Sequence, residues 1–266
     1  MLFVPIYTKL ATLVGSSIDS VVSGTNHKGN VTTCSINKVS GTNEGLDTKL
    51  KRHENHVYQI TTYSSTFDTL NTAVDAIEAL FLNTDLSISN KTLIGLDRIS
   101  SNYTEEIAGL YRNSLIYEFE VQKDFAQLSY VVSAISDETL FKVLYKVYTE
   151  SSDLTSLSNG FVFFNIQHAK LARPYISIPS YTANREFFTT CSYGDDIELV
   201  FKVYADSPLA VDGLLNSIDE NYTYRKFGLT NEKVLIFDWL ADNVQEENLN
   251  IWSGSITYEI SVEKDR

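Results

Sequence analysis

Cationic residues are scarce in this sequence. It has 21 Lys and Arg against 34 Asp and Glu among 266 residues, which gives a formal net charge of −13 and a pI near 4.7. A field of this sign repels phosphate backbones and anionic membrane surfaces. The composition therefore disfavours a nucleic-acid reader and a membrane-surface protein.

Long apolar runs are also missing. No window approaches about 18 uninterrupted apolar residues, the length that a membrane-spanning helix needs. The first ten residues, MLFVPIYTKL, have neither a basic stretch ahead of an apolar run nor a small-residue cleavage site. We therefore expect a soluble protein that contacts no membrane and is made in a cytoplasm.

Cysteine is rare, with Cys34 and Cys191 as the two examples. A disulfide between them would close an unusually long loop, and neither has neighbours typical of a metal or redox motif. In a protein made in a reducing compartment, we expect two free structural thiols.

Motifs for catalysis are absent as well. The sequence has no Gly-x-Ser-x-Gly elbow, phosphate loop or dinucleotide fingerprint. His53 and His56 flank Glu54, but they lack the i, i+4 spacing of zinc proteases and a third ligand nearby. We interpret this segment as a solvated loop that enters a strand. No catalytic, cofactor-binding or metal-binding residue is assigned.

The distinctive feature of the sequence is an internal repeat. The segment YEFEVQKD at 117–124 recurs 141 residues later as YEISVEKD at 258–265. The same spacing, without a gap, matches further identities: Ser114 with Ser255, Glu105-Glu106 with Glu246-Glu247, Asn102 with Asn243, Asp97 with Asp238, Asn90 with Asn231, Ile77 with Ile218, and Tyr63 with Tyr204. A one-residue slip would turn each strand's apolar set to the wrong face, so this register indicates a tandem duplication.

Each copy shows the order strand, helix, strand, strand. Residues 56–63 and 197–204 are rich in β-branched and aromatic residues, which is typical of strands. A helix follows, capped by Thr66 or Asp68 in the first copy and begun by Ser207-Pro208 in the second. The apolar stripes of the two helices are Leu70, Ala73, Val74, Ile77, Leu80 and Phe81, and Val211, Leu214, Leu215 and Ile218. Short apolar runs at 93–96 and 234–237 precede closing strands at 110–121 and 251–262. The predicted fold class is α+β, with an antiparallel sheet covered by helices on one face in each copy.

The remaining segments complete two domains. Residues 137–148 have helical spacing of apolar residues behind an acidic start, and residues 1–22 are their weaker counterpart. Residues 31–36, 160–166 and 174–178 supply further strands. The Gly-, Ser-, Asn- and Thr-rich stretch 23–45 is either a long exposed loop or a hairpin. The predicted domains are residues 1–124 and 137–266, with a linker at 125–136.

Two acidic pairs are candidates for contact with a partner. Glu105-Glu106 and Glu246-Glu247 occupy matching positions, which predicts an acidic loop in each copy that faces a channel or a partner. Four aromatic residues offer stacking surfaces, but aromatic side chains opposite a helix are more often core. We assign these four to the core: Tyr103, Tyr111, Trp239 and Trp252.

These patterns resemble the tail-terminator, or tail-completion, proteins of long-tailed bacteriophages. The resemblance lies in the order of helix, extended strands, Ser/Thr/Asp-Pro-type helix start, acidic loop, and a closing strand of the form WSGSITYEISV at 252–262. It covers residues 137–266 most closely and residues 1–124 more distantly. Family members are usually a single domain of about half this length, so the tandem arrangement departs from the family.

The resemblance implies a virion protein of the tail and neck. Such a protein forms a ring at the head-proximal end of the tail, ends tail-tube growth and joins the tail to the neck. The implied partners are further copies of itself, the tail tube protein and a neck or head-completion protein, while DNA passes through without specific binding. A ring of three chains would contain six domains, and a ring of six chains would contain twelve. No cofactor or catalysis is implied.

Two alternatives remain open. The first is another neck, tail or baseplate scaffold that forms no ring and is a monomer or dimer. The second is an enzyme that cleaves sugars with paired acids such as Asp195-Asp196, which would release reducing ends. A closed ring has the physical merit of covering exposed strand edges, and an acidic lumen would not retain DNA.

Overall fold

The structure is a computed structural model, and it describes residues 2–23, 31–48, 51–82, 86–88, 91–107, 109–124, 140–163, 172–186, 192–223, 228–229, 232–248 and 251–265. The chain divides into two compact units. Met1–Ala126 with Ser207–Leu209 form the first, and Gln127–Asp206 with Ala210–Arg266 form the second. Each unit encloses its own cluster of buried apolar side chains.

The first unit is a five-stranded sheet with two helices. The helices are α1 (Phe3–Ala11) and α2 (Phe67–Leu82), and the strands are β1 (Ser20–Ser23), β2 (Thr33–Thr48), β3 (Lys51–Ser64), β4 (Lys91–Ile107) and β5 (Leu110–Asp124). The strand order is β4-β5-β3-β2-β1. Neighbouring strands are antiparallel except β1 and β2, which run parallel.

Helix α2 lies on the sheet because its apolar residues recur at spacings of three and four. Thr66, one of the two predicted caps, accepts a hydrogen bond from the Thr69 backbone N–H at 3.3 Å. The buried residues of the helix are Leu70, Ala73, Val74, Ile77 and Phe81. They join the same core as Tyr58 and Ile60 of β3, and each fully buried large apolar side chain stabilises the fold by about 1.5–3 kcal/mol.

The second unit has the same arrangement with two additions. Its elements are α3 (Leu140–Glu150), α4 (Ser152–Leu157), β6 (Phe161–Phe163), β7 (Tyr175–Glu186), β8 (Ser192–Ala205), α5 (Pro208–Tyr222), β9 (Gly228–Leu229), β10 (Glu232–Asn248) and β11 (Ile251–Asp265). The strand order is β10-β11-β8-β7-β6, and β9 pairs with β10. Strands β6 and β7 run parallel, and the other pairs are antiparallel.

The two sheets share their register. Strands β8, β10 and β11 begin and end 141 residues after β3, β4 and β5. Tyr58 faces Tyr117 in the first unit, and Leu199 faces Tyr258 at the same positions of the second. The three irregularities of β4, at 93/95, 98/100 and 105/107, return in β10 at 234/236, 239/241 and 246/248. The common element order and register are structural facts, whereas a common origin of the units stays a prediction.

The predicted fold class is confirmed, since helices pack on a largely antiparallel sheet in each unit. The short runs at 93–96 and 234–237 are wrong as separate elements, because β4 and β10 are continuous strands of 17 residues each. Their bulges interrupt the alternation of side chains and so hide the strand from a sequence pattern.

The exposed loop proposed for 23–45 is wrong over residues 33–45. These belong to one strand, β2, which pairs antiparallel with β3, so this part is one arm of a hairpin whose other arm lies beyond residue 45. Cys34 and Ile36 alternate into the core, which explains why a polar stretch forms a strand. Residues 24–30 lie outside the described residues.

The outer segments agree with the predictions where they are described. Helix α1 occupies part of 1–22, and α3 covers most of 137–148. Residues 137–139, 164–166 and the predicted linker 125–136 lie outside the described residues, so the predicted domain boundaries stay a prediction. None of the helices in the described part of the chain is both long and apolar enough to cross a bilayer.

Candidate functional site: interaction surfaces of the two units

A buried charged cluster occupies one end of the first sheet. Arg52, Glu54 and His56 point to the core-facing side of β3, where Tyr58 and Ile60 continue the same row. Glu54 is the common partner. It accepts from Arg52 Nε at 2.9 Å, from His56 Nε2 at 2.7 Å and from Lys91 Nζ at 2.5 Å. All four side chains are at most 6% exposed.

The electrostatics of this cluster fix the protonation of its members. Burial would raise the pKa of Glu54, but Lys91, Arg52 and His56 together hold it well below its ordinary value. Burial, reinforced by Lys91 and Lys38, lowers the pKa of His56 to about 4. At neutral pH a carboxylate is therefore surrounded by cations and by a neutral imidazole that donates to it.

The interpretation of His53 and His56 as part of a solvated loop is wrong. Strand β3 begins at Lys51, and its alternation buries every second residue, including His56. The missed signal is the spacing of Arg52, Glu54 and His56 by two, which places them on one face of a strand. Within the described ranges, no group of three His, Cys, Asp or Glu side chains lies close enough to hold a metal ion.

The predicted acidic loops are instead part of two long strands. Glu105 and Glu106 precede Ile107, the last residue of β4, and Glu246 and Glu247 precede Asn248, the last residue of β10. The expectation of loops fails because the β4–β5 pairing extends to Ile107 and Leu110, and Gly109 has a φ of +80° between them. The four carboxylates are exposed near the tips of two hairpins.

One glutamate of each acidic pair forms an ion pair or hydrogen bonds within its own sheet. Glu106 forms a salt bridge with Arg112 at 2.6 Å. Glu247 accepts a hydrogen bond from Lys202 at 2.9 Å and another from Ser253 at 2.7 Å. Ser253 occupies the position that corresponds to Arg112. Hydrogen bonds from Lys202, Ser253 and Gln245 lower the pKa of Glu247 to about 2. Whether these acids face a channel or a partner stays a prediction.

The aromatic assignments divide between core and surface. Trp239 and Trp252 are buried, as predicted. Tyr103 is 41% exposed, so its assignment to the core is wrong. It stands on the edge strand β4, contacts Phe67 at 5.7 Å between ring centroids and donates to Asn71 Oδ1 at 3.1 Å. Tyr111 is half-buried against the first core and also contacts Phe67, which makes this a partly exposed aromatic cluster.

A second aromatic surface lies on the second unit and was missed by the sequence reasoning. We call it the α3 groove, a shallow cavity of about 500 Å³ whose lining residues are Phe141, Lys142, Tyr145, Lys146 and Phe163. The core-facing residues of α3 are Val143, Leu144, Val147 and Tyr148. Phe141 and Tyr145 fall beside that stripe, and this offset is the signal that could have revealed the groove.

The single cysteine in the described residues fits the prediction of a free structural thiol. Cys34 is buried and unpaired with another cysteine. Burial raises its pKa to about 12, so the reactive thiolate is suppressed in the folded unit. Cys191 lies outside the described residues.

The fold and these surfaces define a two-unit α+β protein in which each unit repeats one sheet-and-helix plan. No protein-family model matches the chain, and no curated protein matches it. Among solved structures, a chain from the "Virion of native gene transfer agent (GTA) particle" matches with a TM-score of 0.36 and 21% identity, over 44% of this chain and 91% of that chain. We draw neither a family nor a function from a likeness of this size.

Proposed function

We propose that this chain is a structural virion protein of a tailed phage that acts by assembly and not by catalysis. In this proposal it forms a ring at the head-proximal end of the tail, ends tail-tube growth and joins the tail to the neck. It binds further copies of itself, the tail tube protein and a neck protein. The sequence resemblance to tail-terminator proteins supports this role, and so does an element order repeated in both units.

The observation that carries the assembly role is the open edge of the first sheet. Strand β4 is the outer strand, and in the described part of the chain its lateral partner is β5. Four large apolar residues of β4 are solvent-exposed: Ile94, Ile99, Tyr103 and Ile107. A long edge strand with exposed apolar side chains is a site where proteins associate, and closure into a ring covers such edges.

The charge supports passage of DNA through the ring. At −13 per chain, a ring of three or six copies would have a strongly acidic surface. Phosphate backbones would be repelled and not retained, since binding needs cations that release counterions. We propose that some of the four hairpin carboxylates face this channel or a partner.

The first test is the mass of the purified chain by light scattering after size exclusion, over a range of concentrations. We expect a trimer or hexamer, and a monomer or dimer at every concentration would favour the scaffold alternative. The second test adds the chain to polymerising tail tube protein from the same genome. Capping should shorten the tubes seen by electron microscopy, and unchanged tube lengths would overturn the terminator role.

A further inference from the structure

The α3 groove is preformed by contacts between its own rings. Phe141 meets Phe163 edge-on with centroids 5.5 Å apart, and it meets Tyr181 at 5.1 Å. Tyr145 lies 6.3 Å from Phe163 and is 46% exposed. Rings held by one another lose little freedom when an apolar group binds, which is the property of a docking site.

The rim of the groove is cationic. Lys142 and Lys146 are one helical turn apart on α3 and both line the cavity. In a chain with 21 cationic and 34 acidic residues, two lysines beside an aromatic floor select a particular ligand. That ligand has an apolar side chain for the floor and carboxylates for the rim.

The tip of the β4–β5 hairpin has this composition. We call Glu105, Glu106, Ile107, Gly109 and Leu110 the first hairpin tip. Ile107 is 69% exposed there and follows directly after Glu105 and Glu106. Gly109, at φ +80°, lies between the two strands at this tip. Ile107 and Tyr145 are both solvent-exposed, so each surface is open to another copy of the chain.

We propose that the first hairpin tip of one copy docks in the α3 groove of the next copy. Ile107 packs on Phe141, Tyr145 and Phe163, while Glu105 pairs with the lysines of the rim. Glu106 keeps its bridge to Arg112. The contact joins two different surfaces, so it propagates head to tail and closes into a ring when the rotation permits. This contact is how copies bind one another in the proposed ring, and its closure into a ring rests on the proposed function.

The experiment compares three single variants of the full chain by light scattering. Ile107→Asp removes the apolar anchor, and Tyr145→Asp damages the groove. Each should raise the concentration needed for assembly by about tenfold or more. The control is Leu82→Asp, a substitution at a residue 79% exposed in the same unit as the tip, which should leave assembly unchanged.

Mixing the variants tests the head-to-tail geometry. Ile107→Asp retains a groove and Tyr145→Asp retains a tip, so an equimolar mixture should form heterodimers that do not grow further. A charge exchange gives an independent readout. Glu105→Lys and Lys146→Glu should each weaken assembly, and the double variant should recover at least part of the loss.

The failures of the two proposals are distinguishable. Wild-type assembly that none of these variants alters would overturn the docking contact and leave the ring proposal standing. A wild-type chain that stays monomeric at every concentration would overturn the docking contact and also remove support for the ring. Tube capping by the Ile107→Asp variant at wild-type efficiency would show that the terminator role does not need this contact.

Discussion

The two units have the same order and register of strands and helices, but different side chains in their cores. Where the first unit places Glu54 and His56 on the core side of β3, the second has Asp195 and Ile197 at the matching positions of β8. Ile197 is buried in the second apolar core. The shared register therefore does not depend on a buried ionic layer. In the first unit buried charged side chains lie at one end of the sheet, and in the second the buried Ile197 occupies the place of His56.

The packing of the helix on the sheet also differs between the two units. A Cβ atom added to Gly254 of β11 would lie 2.4 Å from Val211 Cγ1 and 2.8 Å from Leu215 Cδ1 of α5. The corresponding residue of β5 is Asn113, which is buried and donates to Ser101 Oγ at 3.1 Å. The second unit thus needs a glycine to bring its helix close to the sheet, whereas the first accommodates an amide.

Each unit can be followed separately during unfolding. Both tryptophans of the sequence, Trp239 and Trp252, are buried in the second unit, so tryptophan fluorescence reports on that unit. Cys34 is buried in the first unit with a pKa of about 12. In a Cys191→Ser background, its reaction with a thiol reagent reports on opening of the first unit.

The largest effect is expected from Glu54→Gln. The substitution leaves Arg52 and Lys91 buried without their shared carboxylate, which should lower the free energy of unfolding of the first unit by about 3–5 kcal/mol. Urea unfolding followed by Cys34 reactivity measures this. The matched control, Asp195→Asn at the partly exposed matching position of the second unit, should cost less than about 1 kcal/mol by tryptophan fluorescence. Equal losses in the two units would contradict a larger contribution from the buried Glu54 than from Asp195.

Gly254→Ala should have the next largest effect. The added methyl group overpacks the contact with α5 and should destabilise the second unit by about 1–3 kcal/mol in urea unfolding followed by tryptophan fluorescence. Adding Val211→Ala should restore part of that loss, because it removes the side chain nearest the new methyl group. Asn113→Ala, the matched change in the first unit, loses one hydrogen bond and should cost about 1 kcal/mol or less. A neutral Gly254→Ala would refute the close approach.

Glu247→Gln should have the smallest effect, and it should depend on pH. The folded-state pKa of about 2 lies below the ordinary value of 4.5, so the ionised carboxylate stabilises the second unit above about pH 4.5. This contribution is lost as the pH falls towards about 2. Because Glu247 is largely solvated, the difference between wild type and variant at pH 7 should be below about 1 kcal/mol. Tryptophan-monitored urea curves across this range should converge at acid pH, and a constant difference would exclude the assignment.

The sequence predicted the parts of the fold that repeat. The segment around Tyr117 and its copy around Tyr258 located the closing strands, and the spacing of Leu70, Val74 and Ile77 located α2. These helices and strands could be predicted because the spacing of their apolar residues matches the period of a helix or of a strand. The predicted charge pairs were also found exposed, although on strands and not on loops.

The interaction surfaces were less accessible from sequence. Arg52, Glu54 and His56 are polar residues at the start of a strand, and their burial depends on β5 and on Lys91, which is distant in the chain. The α3 groove is lined by Phe163 of another strand, and Tyr181 of a third element packs against its Phe141. Such sites are set by tertiary pairing, which local propensity does not encode.

The bulges of β4 have a consequence for how the protein avoids aggregation. Each inserts one extra residue opposite β5, so the open edge bends at three points along its length. Bulges disrupt the hydrogen-bond ladder locally, and they are one of the devices by which edge strands discourage pairing with strands of other molecules. The exposed side chains of β4 thus remain available for specific contacts, while its bulges discourage continuous pairing of its backbone with another chain.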